Sequence, residues 1–317
     1  MSKTKILVCG ASGFIGRNIF DNLSETTDID LIGTYNTNCV SDDPRIIQVD
    51  LTDKKQINKL MEGVDVIIQA AAVTSGAKDI TERPYIHIAD NGIMNALIFQ
   101  AAYDHKVKHL VYFSCSVVYP ATALIPVKES EVVYDEIYDK YFGVAWMKLG
   151  REKDCQFYSR LGRTKFTVIR HSNIYGPYDK YDLEKSHVVG ATIRKVMDAQ
   201  DGSTITVWGE GREERDLLYV SDLVRFVKLA ITSQTKPLIL CNVGLGKSIS
   251  IRELINKIVL HSGKKLDVAY DKTKPVMATK LALDCALAKK EFGWTPNVGI
   301  DLGIQRTIEW YKKVNPH

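Results

Sequence analysis

Three glycines in the order Gly10-Ala-Ser-Gly13-Phe-Ile-Gly16 stand directly after an apolar run and at the start of a helical pattern. Glycines so placed suit one chemistry above others. They turn the chain tightly, let its backbone approach a diphosphate and pack a helix close against a strand, while the helix N-terminus adds unpaired N–H groups and partial positive charge. The candidate cofactor contacts in the loop are Gly10, Ser12, Gly13, Phe14, Ile15 and Gly16. A turn with three incidental glycines is the plainer alternative; a strand before and a helix after favour the dinucleotide cradle.

Two further segments suit the same ligand. Asp50 and Leu51, in Asp50-Leu-Thr-Asp53, follow the third apolar run, where a carboxylate can meet the amino group of an adenine. Ala70, Ala71 and Ala72 follow the fourth, where small side chains let a cofactor lie against the backbone. Taken singly, each would read as a cap or a packing detail. An acidic residue at the end of the second run selects NAD and a nearby Arg selects NADP. Gly33-Thr34-Tyr35-Asn36-Thr37-Asn38 offers neither, so NAD or NADP is expected without a choice between them.

A sheet must position these residues. Short apolar runs at 5–9, 31–34, 46–49, 64–70, 110–113 and 166–170 alternate with helical patterns at 16–23, 56–61, 91–103 and 148–161. Fully apolar strands between helices are the mark of a parallel sheet buried on both faces, and right-handed crossovers make it doubly wound. The rhythm changes after Asn173. Helices are expected at 188–199, 251–260 and 303–313, with strands at 205–208 and 217–220. The expected class is α/β, a Rossmann-type doubly wound parallel sheet over 1–173 with return segments near 215–245, and a smaller α/β substrate domain over 174–317.

The 317 residues are 45% hydrophobic and 25% charged, which excludes a disordered chain. No run of about 18 apolar residues exists, so no membrane span is expected, and the apolar stretch 6–10 is too short for a signal segment. A net charge of +4 is too small for a nucleic-acid footprint. Six dispersed cysteines form no C-x-x-C pair and the histidines do not cluster near them. No metal site is expected, and reduced thiols in a cytoplasmic compartment are.

The chain resembles the extended short-chain dehydrogenase/reductases of the NAD-dependent epimerase/dehydratase family, and within it most resembles the GDP-L-fucose synthases, which are GDP-4-keto-6-deoxymannose epimerase/reductases. The resemblance spans nearly the whole chain. It rests on 10–16, Phe113 to Pro120, Glu129-Ser-Glu131, Asn173-Ile-Tyr-Gly-Pro177, Ser186-His187-Val188, Val207-Trp-Gly209, Arg215-Asp-Leu-Leu-Tyr-Val220, Lys274-Pro275, Leu283-Asp284 and Phe292-Gly-Trp-Thr-Pro296.

The resemblance implies an NAD(P)-dependent enzyme that transfers hydride at carbon 4 of a nucleotide sugar, GDP-linked and carrying a hexose or heptose. It implies a homodimer joined through the helices near 91–103 and 148–161. Lys148 takes the place of the Lys that holds the nicotinamide ribose, and His187 that of an acid/base used in epimerisation. Asn173, His187, Lys195, Trp208 and Arg215 fall at substrate positions, although Lys195, with Arg194, could equally be a solvated helix face and Trp208 a core residue.

Two departures stand out. The family's Tyr-x-x-x-Lys becomes Val144-Ala-Trp-Met-Lys148, and in Cys115-Ser116-Val117-Val118-Tyr119 the catalytic Ser place falls on Cys115 and the epimerising Cys place on Val117. Lys148, Cys115, Ser116, a water held by Ser116, or a nearby Tyr such as Tyr141 are the candidates to replace the lost acid/base. Three readings follow: an oxidoreductase/epimerase with a substitute acid, a 4-dehydrogenase with tightly bound cofactor and no epimerisation, or a non-catalytic protein that binds the nucleotide sugar or the dinucleotide.

Overall fold

The computed structural model describes residues 3–74, 83–121, 125–183, 186–273 and 279–316; the Lys274-Pro275 element lies outside them. The first six apolar runs form strands β1 (Thr4–Cys9), β2 (Ile29–Tyr35), β3 (Ile46–Gln48), β4 (Val66–Gln69), β5 (His109–Cys115) and β6 (Lys165–His171). Helices α1 (Phe14–Ser24), α2 (Lys54–Leu60), α3 (Ala89–Asp104) and α4 (Phe142–Arg160) alternate with them. Later come β7 (Asn173–Tyr175), α5 (Val188–Asp198), β8 (Thr204–Trp208), β9 (Glu214–Tyr219), α6 (Val220–Ser233), β10 (Leu238–Val243), β11 (Ser248–Ser250), α7 (Ile251–Ser262), β12 (Asp267–Asp271), α8 (Ala286–Phe292) and α9 (Ile300–Val314).

The large sheet runs β10-β6-β5-β4-β1-β2-β3 with every pair parallel. Its composition explains why. In β1, Ile6 and Val8 join the core that includes Phe20, Leu223 and Phe226, while Leu7 and Cys9 join the core that includes Ile57, Ile98 and Phe99. Alternate side chains thus bury on opposite faces, one under α1 and α6 and the other under α2 and α3. The strand order reverses between β1 and β4, and a ligand crevice opens at the carboxyl ends of strands at such a point.

The remaining residues build a three-stranded sheet, β11-β9-β7, and the parallel pair β12-β8. These pack with α5, α7 and α9 around Ile193, Leu254, Ile258 and Ile304.

Most boundaries shift by one to three residues; two differences bear on the site. The helix expected at 148–161 begins six residues earlier, at Phe142. Gly143, Val144 and the ring of Trp146 weaken the local helix signal; the burial of Ala145 and Leu149 against Val118 and Ile137 overrides it. The strand expected at 217–220 stops at Tyr219, and α6 starts at the next residue. Its buried face, Val220, Leu223, Val224 and Val227, follows helical spacing and was legible, but no polar N-cap announces it.

Candidate active site

The glycine loop is shaped for close approach. Gly10 has φ +77°, and a Cβ there would meet the Ala71 Cα at 2.7 Å. A Cβ on Gly16 would lie 2.1 Å from the Gly10 carbonyl oxygen. Thr34 holds the turn from β2: its Oγ1 accepts from the Gly10 N–H at 3.1 Å and its carbonyl from Ala11 at 2.8 Å. Gly13 is the N-cap of α1, with no side-chain cap and no acidic residue in the first turn. The N–H groups of that turn are left for an anion. Ser12, Phe14 and Ile15 are half-buried and Gly13 is exposed at the rim.

Across the crevice, Ala70, Ala71 and Ala72 leave β4. Asn91 on α3 pins this strand end: its Oδ1 accepts from the Val73 N–H at 2.9 Å and its Nδ2 donates to the Val73 carbonyl at 3.0 Å. Gln69 donates to Asn95 Oδ1 at 2.9 Å from below. Leu51 is core, and Asp50 accepts from the Thr52 N–H and hydroxyl, shaping its own turn. Asp53 caps α2. The cradle fits a nicotinamide dinucleotide: bare backbone, an uncapped helix start and small side chains opposite.

The proton-bearing groups gather two and three strands along from β1, at the ends of β5 and β6. Lys148 donates to the Phe113 carbonyl at 2.6 Å and lies 5.1 Å over the Tyr112 ring. Burial pushes its pKa down, while Cys115 and Glu152 pull it back up. Burial pushes the Cys115 thiol up, against the pull of Lys148. Ser116 is buried where the turn Ser116–Val118 begins. Val144 sits one turn before Lys148. His171 ends β6 near Lys148 and His187, and burial pushes it down to about 4. His187 meets solvent in the cleft at the start of α5, yet the protein around it, and then Lys180, hold its imidazole below the ordinary range. Both imidazoles are therefore neutral at pH 7. Tyr141 precedes α4 and neighbours both Cys115 and Arg215.

Beneath this cluster lies a buried ion pair that the residue pattern did not reveal. Arg170 Nη2 meets Glu152 Oε2 at 2.7 Å, and Glu152 Oε1 accepts from Ser114 at 2.6 Å. Arg170 Nη1 also donates to the Tyr119 hydroxyl at 3.1 Å and the Glu129 carbonyl at 2.8 Å, and Tyr119 donates to Asn242 at 2.6 Å. A signal existed: Glu152 is one helical turn after Lys148, and Arg170 is a charge inside an apolar run.

The residues expected at substrate positions lie on β7 and β9 (Asn173, Arg215) and, in a separate depression, on α5 and β8 (Lys195, Trp208). Asn173 is exposed and donates to the Asp216 carbonyl at 3.3 Å. Arg215 Nη1 donates to the carbonyls of Glu214 (2.9 Å) and Thr279 (2.7 Å). Asp216, fully buried, holds this edge by accepting from Leu245, Gly246 and Leu283 N–H groups at 2.7, 3.0 and 3.0 Å. Lys195 and Trp208 line a depression of about 440 Å³ with Asp198 and Thr206. Trp208 is 47% exposed there, which removes the core reading, and Lys195 donates to the Thr206 carbonyl at 3.1 Å. Arg194 pairs with Asp198.

One acid near the cleft carries a pH prediction. Asp179 is 9% exposed and accepts from the Lys180 N–H at 2.7 Å. Burial raises its carboxyl from 3.8 to about 7, with that bond and the Lys180 ammonium opposing. Between those values the folded chain holds a proton that the unfolded chain has lost, so stability falls as pH rises through the window and levels off above it. Asp179→Asn should melt with the wild type at about pH 4 and at higher temperature than the wild type above pH 7. Coincident melting curves in alkaline buffer would refute this.

A doubly wound sheet with a glycine turn after β1 and a buried Lys anchored at the carboxyl end of β5 defines a dinucleotide-dependent oxidoreductase class. The chain belongs to the NAD dependent epimerase/dehydratase family, whose sequence profile matches residues 6–244. It is 31% identical to the GDP-L-fucose synthase of Sinorhizobium fredii, with 96% of this chain and 94% of that protein covered. It is 29% identical to the GDP-L-colitose synthase of Yersinia pseudotuberculosis over 97% of each. The UDP-glucose 4-epimerase of Thermotoga maritima, solved with UDP-glucose, shares the fold at a TM-score of 0.85 and 24% identity, over 98% of this chain and 99% of that one.

Proposed function

We propose that the protein is a nucleotide-sugar oxidoreductase that transfers hydride between a nicotinamide dinucleotide and carbon 4 of a GDP-linked hexose or heptose, without epimerisation. The observation that carries the reading is Lys148. It stands at the carboxyl edge of the sheet that bears the glycine cradle, with its Nζ anchored on the β5 carbonyl of Phe113 and beside Cys115. The dinucleotide supplies the hydride. Lys148 would hold its ribose, the loop 10–16 its diphosphate, and Ala70 to Ala72 would leave room along the backbone. Residues 1–173, with the return near 215–245, would bind the dinucleotide, and 174–317 the sugar nucleotide. There Asn173 and Arg215 face the sugar and diphosphate, and Trp208 offers its exposed ring to the base.

GDP is favoured by the two GDP-sugar synthases above, each aligned over nearly its full length. The absence of epimerisation rests on Val117, an apolar side chain packed on the Val118–Leu149 cluster where the family keeps a proton-exchanging Cys. Val144 favours a second reading, a protein that binds both ligands and does no chemistry. No described helix is long and apolar enough to cross a membrane, and six free thiols suit a reducing, cytoplasmic setting. Ile93 on α3 and Trp146 and Phe157 on α4 are exposed, which suits a homodimer through these helices; sedimentation at twice the chain mass is the expected result.

The test is calorimetric titration with NADH and NADPH, followed by addition of GDP-4-keto-6-deoxymannose. Binding and then loss of reduced-nicotinamide absorbance are expected, and Lys148→Ala should weaken dinucleotide affinity about tenfold, the loss of one charged hydrogen bond. Binding of both ligands with no absorbance change selects the non-catalytic reading. No dinucleotide binding overturns both.

A further inference from the structure

We infer that Tyr141 is the acid that protonates the sugar oxygen, in place of the residue at 144; the inference rests on the function proposed above. Val144 cannot exchange a proton. Tyr141 stands three residues before it and seven before Lys148. Spacings of three and four keep side chains on one helix face, so Tyr141 occupies the Lys148 face one turn further out. As the residue before Phe142 it is the N-cap of α4, and its φ of −101° and ψ of −1° keep it in register with the helix.

Its surroundings are those of the site. Cys115, the residue in the family's Ser place, and Arg215, on the sugar-side strand β9, are both electrostatic neighbours of the phenol. Its ring meets that of Tyr138 edge-on at 5.6 Å. Its hydroxyl makes no hydrogen bond to any described residue, which leaves it for a ligand. The other candidates are placed differently. Lys148, anchored on the Phe113 carbonyl, is the residue assigned to the nicotinamide ribose. Ser116 is buried at the start of its turn. Tyr138 stands three residues further from α4 and packs edge-on against the Tyr141 ring.

The step balances in the reducing direction. The keto carbon accepts hydride from the reduced nicotinamide, the C=O π pair moves onto oxygen, and that oxygen takes the Tyr141 proton as the phenol O–H bond breaks. The products are the sugar alcohol, the oxidised dinucleotide and a phenolate beside the Arg215 guanidinium. A water in the cleft then reprotonates the phenolate. Burial raises the phenol pKa while Arg215 opposes it, so the group is protonated at neutral pH, as a reductase acid must be.

The full chain is assayed with NADPH or NADH and GDP-4-keto-6-deoxymannose, alongside calorimetry with the reduced dinucleotide alone and with GDP alone. Tyr141→Phe is expected to lower kcat by about 10²-fold or more and to leave both affinities and the melting temperature as in the wild type. Val144→Tyr added to Tyr141→Phe should restore turnover, because it sets a phenol four residues before Lys148. Wild-type kcat in Tyr141→Phe overturns the inference and leaves the proposed function standing. So does a fall in both affinities in step with kcat, the mark of a packing role. A wild type that binds both ligands and transfers no hydride also overturns it, and a wild type that binds no dinucleotide overturns the proposed function and this inference together.

Discussion

Gly16→Ala is expected to weaken dinucleotide binding about 10²-fold. The new Cβ would sit 2.1 Å from the Gly10 carbonyl oxygen and 2.7 Å from its carbonyl carbon. Both are backbone atoms of the turn, so no side-chain rotation relieves the contact. Either α1 slides away from β1 or the Gly10–Gly13 turn opens, and in both cases the N–H groups of the first helical turn leave their places. The turn is already fixed by the Gly13 N–H on the Gly10 carbonyl at 2.9 Å and by Thr34 behind it. Overpacking of this kind costs about 1–3 kcal/mol of stability. Misplacing the anion-binding N–H groups should reduce dinucleotide affinity by about 10²-fold, equivalent to about 2.7 kcal/mol. Calorimetry measures the affinity and urea unfolding the stability. Wild-type affinity in Gly16→Ala would mean that this loop is not the diphosphate cradle.

Glu152→Ala is expected to be strongly destabilising, because it breaks the buried ion pair that ties α4 to β6. Arg170 and Glu152 expose 6% and 5% of their side chains and share two short contacts, Nη2 to Oε2 at 2.7 Å and Nε to Oε1 at 3.0 Å. Removing the carboxylate leaves a buried guanidinium whose partners among the described residues are the Tyr119 hydroxyl and the Glu129 carbonyl, and leaves the Ser114 hydroxyl without its acceptor. A buried pair broken in this way costs about 3–5 kcal/mol, because the stranded charge keeps its desolvation penalty. The double variant Glu152→Leu with Arg170→Met removes both charges and should recover most of the loss. Urea unfolding of the three proteins decides the matter. A loss under about 1 kcal/mol in Glu152→Ala would show that water reaches Arg170 and that the pair is not a dry one. The effect should reach function too, since Glu152 is an electrostatic neighbour of Lys148 and Cys115.

Much of this site can be read along the chain. The glycine spacing, the small residues after β4, and Lys148 with Val144 four positions earlier are all local patterns. So is the alternation of apolar runs with helical stretches that makes the parallel sheet. The helical face that carries Tyr141 and Lys148 is equally local once α4 is known to start at Phe142. That start was hidden because its first turn holds Gly143, Val144 and aromatic residues, whose own preference is weak; packing against Val118 and Ile137 supplies what propensity does not.

Other features have no local pattern. Asn91 and Asn95 are two polar residues at helical spacing on an apolar helix, and nothing in that spacing says that they clamp the strand end bearing Ala71 to Ala72. Tyr119 and Asn242 meet across 123 residues of chain, and Arg170 and Glu152 meet from a strand and a helix. Arg215 and Tyr141 come together because β9 and the start of α4 converge at the carboxyl edge of the sheet. Periodicity and turn chemistry are properties of a few neighbouring residues and are written in their order. Convergence depends on strand order and on the path of each crossover, which the cores on the two sheet faces choose by burying apolar surface, and that choice involves the whole chain at once.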